Sequence, residues 1–419
     1  MIKKIIVSIC LLLSFAGFAQ EGSSSPYSFY GIGESRFKGT AENRAMGGLM
    51  TFSDSIHANI QNPAGYSSLK LTAFTVGGSY SATKMNTETQ TSDASRITLD
   101  YFAVGLPMKK FGLGFGLVPY SSVGYKIQSN VSEDEVLTQK RATGKGGVNR
   151  AFVGAGYQIT PKFSLGAEFA YNFGKIETSS VQRAEGVQLG SRELNSSELT
   201  GASFSAGANY YTKLTSKLNL FSSLLYSFEG KLNSSNTREI ATIQFLQLGG
   251  ESISGTPLIV DVAENKLTVP SKLTFGAGIG EDRKWSVGAE VAMQDTKNQT
   301  NRFVDIANVE FENSMRYNVG GFYVPNYSAY SSYFSRITYR AGIHYENTGL
   351  VVKNKAINDT GVTVGFGFPL GTATFSNINL GFEYGKRGTI YNGLIEENYA
   401  NVFIGISFND KWFVKRKYD

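Results

Sequence analysis

The sequence has a single cysteine, Cys10, and it lies inside an apolar run near the start of the chain. In MIKKIIVSICLLLSFAGFAQ, Lys3 and Lys4 precede the apolar residues 5–15, and a small-residue cleavage site follows at Gly17-Phe18-Ala19. That is the layout of a secretory signal peptide over residues 1–19, too short to be a spanning helix. Cys10 is misplaced for lipoprotein acylation, so the exported chain is expected to be free of cysteine, disulfides and thiol chemistry. Histidine is almost as scarce, with only His57 and His344, and no His/Cys/carboxylate cluster has metal-ligand spacing. Beyond the signal no window approaches 18 uninterrupted apolar residues, which excludes transmembrane helices. The net charge of +6 is spread among acids with no basic face, so nucleic acid is not an expected partner. The glycine-rich runs GLGFG and GAGIG sit within strand patterns and open no helix, unlike phosphate loops. No catalytic residue, metal or cofactor is implied, and the expectation is a protein that is not an enzyme.

Glycine (47), tyrosine (23) and phenylalanine (29) are plentiful, while proline (9) is rare. In an exported chain this composition fits an outer-membrane β-barrel better than a soluble fold. Period-two alternation is the main signal. In KWSVGAEVAMQ, Trp285, Val287, Ala289, Val291 and Met293 form one face, and Ser286, Gly288, Glu290, Ala292 and Gln294 the other. KFSLGAEFAYNFG, SNINLGFEYG and residues 399–408 repeat the pattern. Counting such runs predicts an all-β fold, a transmembrane antiparallel barrel of about 14 strands over residues 69–410. The tight connections MKKFG, ITPKF, TKLTSKL and EDRKW alternate with longer polar loops expected near 127–147, 176–197, 230–270 and 295–312. An even strand count returns both termini to the periplasm. The tail 411–419, with Lys411, Trp412, Phe413, Lys415, Arg416 and Lys417, reads as a solvated end with an aromatic membrane anchor or as a docking peptide.

Residues 20–68 lack any sustained period, yet they are too long and apolar for a loose tail. Glycine inside a strand marks close approach of another backbone. Inward positions of several strands carry it: Gly154, Gly156, Gly276, Gly278, Gly365 and Gly367. Residues 20–68 are therefore expected to fold into the lumen as an N-terminal hatch.

ENRAMGG, the Asn62-Pro63-Ala64-Gly65 turn and FGLGFGLVPYSSVGY resemble the FadL family of outer-membrane transporters for long-chain fatty acids and other hydrophobic compounds. The opening SPYSFYGIGE and closing NDKWFVKRKYD look like the Bacteroidetes version, a branch that also includes PorV-like barrels serving protein secretion. The resemblance implies passive uptake of hydrophobic compounds by lateral diffusion, in contact with outer-membrane lipids and lipopolysaccharide. It implies a gate made by Asn62, Pro63 and Ala64 in the hatch with Gly116 and Pro119 in a kinked third strand. The alternative is a non-transporting subunit of a larger outer-membrane complex for secretion or barrel assembly. Pro119 cannot donate a ladder hydrogen bond, so it marks either a wall break or the outer end of its strand.

A charge facing lipid near the midplane costs roughly 2–4 kcal/mol, so charges within the strands should face the lumen. They are Glu168, Glu290, Glu383, Arg316, Arg336, Arg340 and Arg387. Either they tie hatch to wall, or an arginine, Arg340 or Arg316, receives a ligand carboxylate. Ile240, Ile243, Phe245 and Leu246 are apolar within an expected external loop. They read as a helix packing on the barrel mouth or as a hydrophobic capture groove.

Overall fold

The computed structural model describes residues 23–412 other than 134–135, 247–249, 301, 303–307, 330–331 and 371–374. The expected signal peptide and the tail beyond Trp412 lie outside the described residues. Fourteen antiparallel strands close into a barrel. They are β1 (Thr72–Asn86), β2 (Thr91–Met108), β3 (Phe111–Glu133), β4 (Val136–Thr160), β5 (Phe163–Ala184) and β6 (Leu189–Lys213). β7 combines Asn219–Ser227 with Gly230–Phe245, and β8 combines Glu251–Ile253, Leu258–Asp261, Asn265–Val269 and Lys272–Glu281. β9 (Trp285–Gln294), β10 (Ser314–Tyr323), β11 (Thr338–Val352), β12 (Lys355–Pro369), β13 (Asn377–Gly388) and β14 (Glu396–Asp410) complete the ring. β14 returns to β1 with Thr72 opposite Asp410 and Asn86 opposite Glu396, so closure leaves no long free edge at the seam.

The alternation has a direct physical reading. Phe115, Val153, Phe169, Phe204, Phe275, Val319, Ile343 and Val364 point outward and are exposed, forming a continuous apolar band. Such a surface belongs in a membrane. Their neighbours in sequence point inward, among them Glu168, Asn172, Glu290, Asn318 and His344, all buried. The short connections at 109–110, 161–162 and 282–284 share one end of the barrel, here called the turn end. The opposite, hairpin end is uneven. β3 to β6 have 23, 25, 22 and 25 residues, whereas β9 and β10 have 10 each. A crossing takes about 9–11 residues, so the longer strands project well beyond the membrane.

This corrects the expected loops. Residues 127–133 and 136–147, most of 176–197 and much of 230–270 are strand, paired in register rather than looped. The cause is a reversal of polarity along each strand. At membrane depth the outward residue is apolar. Beyond it the outward residues are Ser, Asn, Thr and Lys, and the inward ones are Val123, Val148, Ile176, Leu199, Leu232 and Leu267, packed on Ile32 and Phe29 of the N-terminal segment. Period two persists while its chemistry inverts, so sequence reading ends the strand too early.

Residues 23–71 fill the lumen as a hatch with little regular structure: 3-10 turns at Pro26–Phe29 and Pro63–Ser68, and one helical turn at Ala41–Arg44. Ala58, Ile60, Tyr66 and Leu69 pack against Tyr101, Ala103, Val118, Phe152 and Ala170 of the wall.

Candidate functional site

The ladder between β2 and β3 stops part-way. It runs from Met108/Phe111 to Phe102/Leu117 and no further, although β2 continues against β1 and β3 against β4. Pro119 lies just past the last pair, where a missing N–H is tolerated because no neighbour awaits it. The β3–β4 register also slips between Pro119 and Ser121. β3 runs on to Glu133, so Pro119 is not at its outer end. Gly116 lets the strands converge below the break, since a Cβ there would lie 2.2 Å from the Phe102 carbonyl oxygen. Ile97 and Leu99 remain exposed and apolar beside the break, which places it at membrane depth.

The hatch occupies this break. Glu34–Ser35 pairs antiparallel with β3, Glu34 opposite Ser122 and Ser35 opposite Ser121. Arg36 N–H donates to Tyr120 O (3.0 Å), and the Ser28 hydroxyl accepts from Gly124 N (3.1 Å). Toward β2 the contacts are side chain to side chain. Arg36 donates to Thr98 Oγ1 (3.2 Å) and lies 3.5 Å from Asp100, while Arg96 lies 3.5 Å from Glu34. The hatch thus replaces backbone bonds on one side of the break and ion-pairs on the other.

The Asn62-Pro63-Ala64 turn sits elsewhere. Asn62 is fully buried, caps the Pro63–Ser68 turn by accepting from Ala64 N (3.0 Å), and donates to Leu224 O (3.3 Å). The turn rests on inward glycines near the turn end of β4, β5 and β6. A Cβ on Gly156 would lie 2.6 Å from Pro63 O, one on Gly166 2.3 Å from Ala64 N, and one on Gly207 2.0 Å from Asn62 Oδ1. Of the five gate candidates, only Pro119 and Gly116 border the break. Residues 33–36, not singled out from the sequence, are their hatch partners.

The lumen charges pair mostly across the hatch–wall boundary. Lys38 donates to Glu168 (2.5 Å). Arg44 donates to Glu383 (2.7 Å) and Asp100 (3.3 Å). Glu290 accepts from Met50 N (2.9 Å). Arg387 bridges Asp359 (2.6 Å) and Glu34 (2.7 Å). Burial would raise the Glu34 pKa, but the guanidiniums of Arg387, Arg96 and Arg36 hold it well below the usual carboxylate range. Arg316 pairs within the wall with Glu346 (3.1 Å), and Arg340 with Asn379 (2.9 Å). Arg336 stands apart at the turn end, over the Tyr333 ring. A cavity of about 230 Å³ lies between hatch and wall, reaching Arg36, Arg44, Arg316, Arg387, Glu383 and Pro119. Phe37, Phe311, Leu350 and Phe403 line it beside these charged groups, so its surface is mixed.

The BamG family model matches residues 1–419. The chain belongs to the BamG family. No curated protein matches the chain. Among solved structures, the Ralstonia pickettii toluene transporter TbuX is similar at 16% identity and TM-score 0.61, covering 89% of this chain and 99% of that one. The P. putida toluene transporter TodX follows at 18% and 0.60, covering 90% and 99%. A Pseudomonas aeruginosa FadL homologue stands at 12% and 0.58, covering 91% and 99%. At these identities the likeness to FadL-type channels is one of fold.

The expected capture loop is corrected. Ile240, Ile243 and Phe245 lie on β7, neither in a loop nor on a helix, and Leu246 follows its end. Ile240 faces out opposite Glu193 and Leu258, while Ile243 is buried. Phe245 sits under the Arg183 guanidinium. The four residues therefore form no single apolar groove. The alternation in IATIQF was the signal that marked a strand.

Proposed function

We propose that this chain is an outer-membrane barrel that passes hydrophobic compounds, long-chain fatty acids among them, by passive lateral diffusion. The turn end and both termini face the periplasm, and the projecting hairpins face outward. The observation that carries the reading is the interrupted β2–β3 ladder at membrane depth, filled by hatch residues 33–36 rather than by wall. Withdrawal of that segment breaks few backbone bonds and opens a slot beside Pro119, bounded by Ile97 and Leu99. Arg316, on the cavity surface with one carboxylate partner, is the residue placed to meet a ligand carboxylate.

The test locks the segment in place. Ser35 and Ser121 are register partners, so S35C/S121C is positioned to form a cross-strand disulfide. Uptake of labelled fatty acid should fall to background when the pair is oxidised and recover with reductant. Unchanged uptake would sink the mechanism.

A second reading rests on a different observation: ion pairs through Lys38, Arg44 and Arg387 tie the hatch to the wall, as suits a fixed plug. In it the barrel is a non-transporting subunit of a larger outer-membrane complex for protein secretion or barrel assembly. Gentle detergent extraction and affinity purification separates the two. Stoichiometric partners together with uptake indifferent to the disulfide favour the subunit; a lone barrel carrying lipid favours passage.

A further inference from the structure

A second cavity, of about 270 Å³, opens at the turn end between hatch residues Ile56 and His57 and the wall strands β11 to β13. Arg336 and Arg340 both reach it, with Asn377 and Asn379 on the facing strand. Arg340 is buried and donates from Nη1 to Asn379 Oδ1 (2.9 Å). Arg336 stacks 5.3 Å from the Tyr333 ring centroid, and its buried Nε has no hydrogen-bond partner. Among the described residues, neither guanidinium has a carboxylate within 4.0 Å.

The acids near this cavity are engaged elsewhere. Asp54 accepts from His57 Nδ1 (2.5 Å). Glu42 accepts from Asn379 Nδ2 (2.8 Å) and lies 3.7 Å from His57 Nε2. His57 Nε2 also lies 3.0 Å from Asn377 Nδ2. Both carboxylates thus sit against His57, and among the described residues neither arginine has one of its own. A guanidinium taken from water without a partner is costly, and its planar fork matches phosphate oxygens two at a time. The wall also keeps the space open: a Cβ on Gly367 would lie 2.6 Å from Arg340 Nη1. Beside the cavity, Tyr333, Phe334, Leu370 and Phe375 are exposed, Phe334 at 73%. Tyr339, whose hydroxyl donates to Phe334 O (3.3 Å), ties this aromatic group to the first turn of β11.

We propose that the turn-end cavity is a binding site for a phosphate group held between Arg336 and Arg340, with the neighbouring exposed aromatics suited to the acyl chains of a phospholipid. The phosphate can arrive as a lipid headgroup or as the free anion, and the aromatics favour the lipid.

The experiment uses the purified full chain in dodecyl maltoside. Thermal unfolding is followed as dihexanoyl phosphatidylglycerol, or inorganic phosphate, is added against chloride at matched ionic strength. Wild type and the remote turn variant K162Q should be stabilised, and R336Q and R340Q should bind at least tenfold more weakly. Stabilisation by the lipid alone identifies a headgroup; equal stabilisation by inorganic phosphate identifies the free anion. Wild-type affinity in R336Q, or no binding of either probe by wild type, overturns the proposal. If R340Q does not fold, R336Q alone decides, because its side chain is only partly buried and spans no strand pair.

Discussion

Gly166 shows how far one hydrogen atom matters here. Its missing side chain is the space in which Ala64 N sits, and backbone on both sides prevents either from yielding. Gly166→Ala should cost about 1–3 kcal/mol, the range for overpacking, and shift the urea midpoint of the detergent-solubilised barrel. A midpoint equal to wild type would mean the hatch turn is not seated there. The residue scale was partly legible in the sequence: inward glycines were expected to mark an approaching backbone, and Gly156 does meet Pro63 O, whereas Gly154, Gly276, Gly278 and Gly365 make room for the hatch side chains of Tyr66, Thr51, Phe52 and Ala45. Gly367 is the exception, since it makes room for Arg340.

Charges give two further expectations at this scale. Arg44→Met strands Asp100 and Glu383 without their shared cation, a loss of about 3–5 kcal/mol for a broken buried pair. Adding Glu383→Gln should recover part of it, and a double-mutant cycle with no coupling would contradict the pairing. Glu34 has its carboxyl pKa depressed in the folded state. Its contribution is therefore complete above the unfolded value near 4.3 and disappears as pH falls from there toward the folded value. Protease resistance of residues 23–36 should hold from pH 8 to about 5 and then decline, with Glu34→Gln flattening that decline.

Among the elements, the strands at membrane depth were readable because one rule governs them: apolar residues meet lipid and polar ones meet the lumen. The four tight connections read from the sequence, MKKFG, ITPKF, TKLTSKL and EDRKW, all fall where one strand hands over to the next. Above the membrane the rule inverts, and the hairpins were taken for loops. The inverted part has a core of its own. Leu232 is fully buried among Val123, Val148, Ile176 and Leu267. Leu232→Ala should cost about 2–5 kcal/mol locally. The outer half of β3 to β8 should then be cleaved by trypsin while the barrel keeps its heat-modifiable migration on gels. If cleavage spreads to the membrane-embedded half, the hairpins and barrel are one cooperative unit instead. The wall break was only half legible, because Pro119 marks it but nothing in the sequence links residues 33–36 to β3. That pairing joins segments about ninety residues apart through two short rungs, too few for any periodicity to announce.

The whole molecule is a ring with a filling. Its tall side, β3 to β7, leans on the hatch through aliphatic contacts at Ile32 and the ion pair of Lys38 with Glu168, while β13 holds the hatch by ion pairs to Arg44 and Glu34 and β14 by the Ser25–Glu397 hydrogen bond. These pairs are buried and little screened by salt, so Arg44→Met, not high salt, should loosen the hatch beside β13 before the tall side is affected. Hydrogen exchange of the Arg44→Met variant against wild type reads this directly, and uniform loosening would argue against the division.

The seam where β14 meets β1 carries a temporal consequence. The hatch precedes every strand in the chain and is held by wall strands around the ring, β3 through Ser35, β5 through Lys38, β9 through Met50 and β13 through Arg44. Seating it against all of these at once is simplest while the ring is still open, before the last strand zips against the first. Construction of this barrel in its membrane is thus expected to run from the inside outward, with the fifteen residues of β14 acting as the door that shuts behind the occupant.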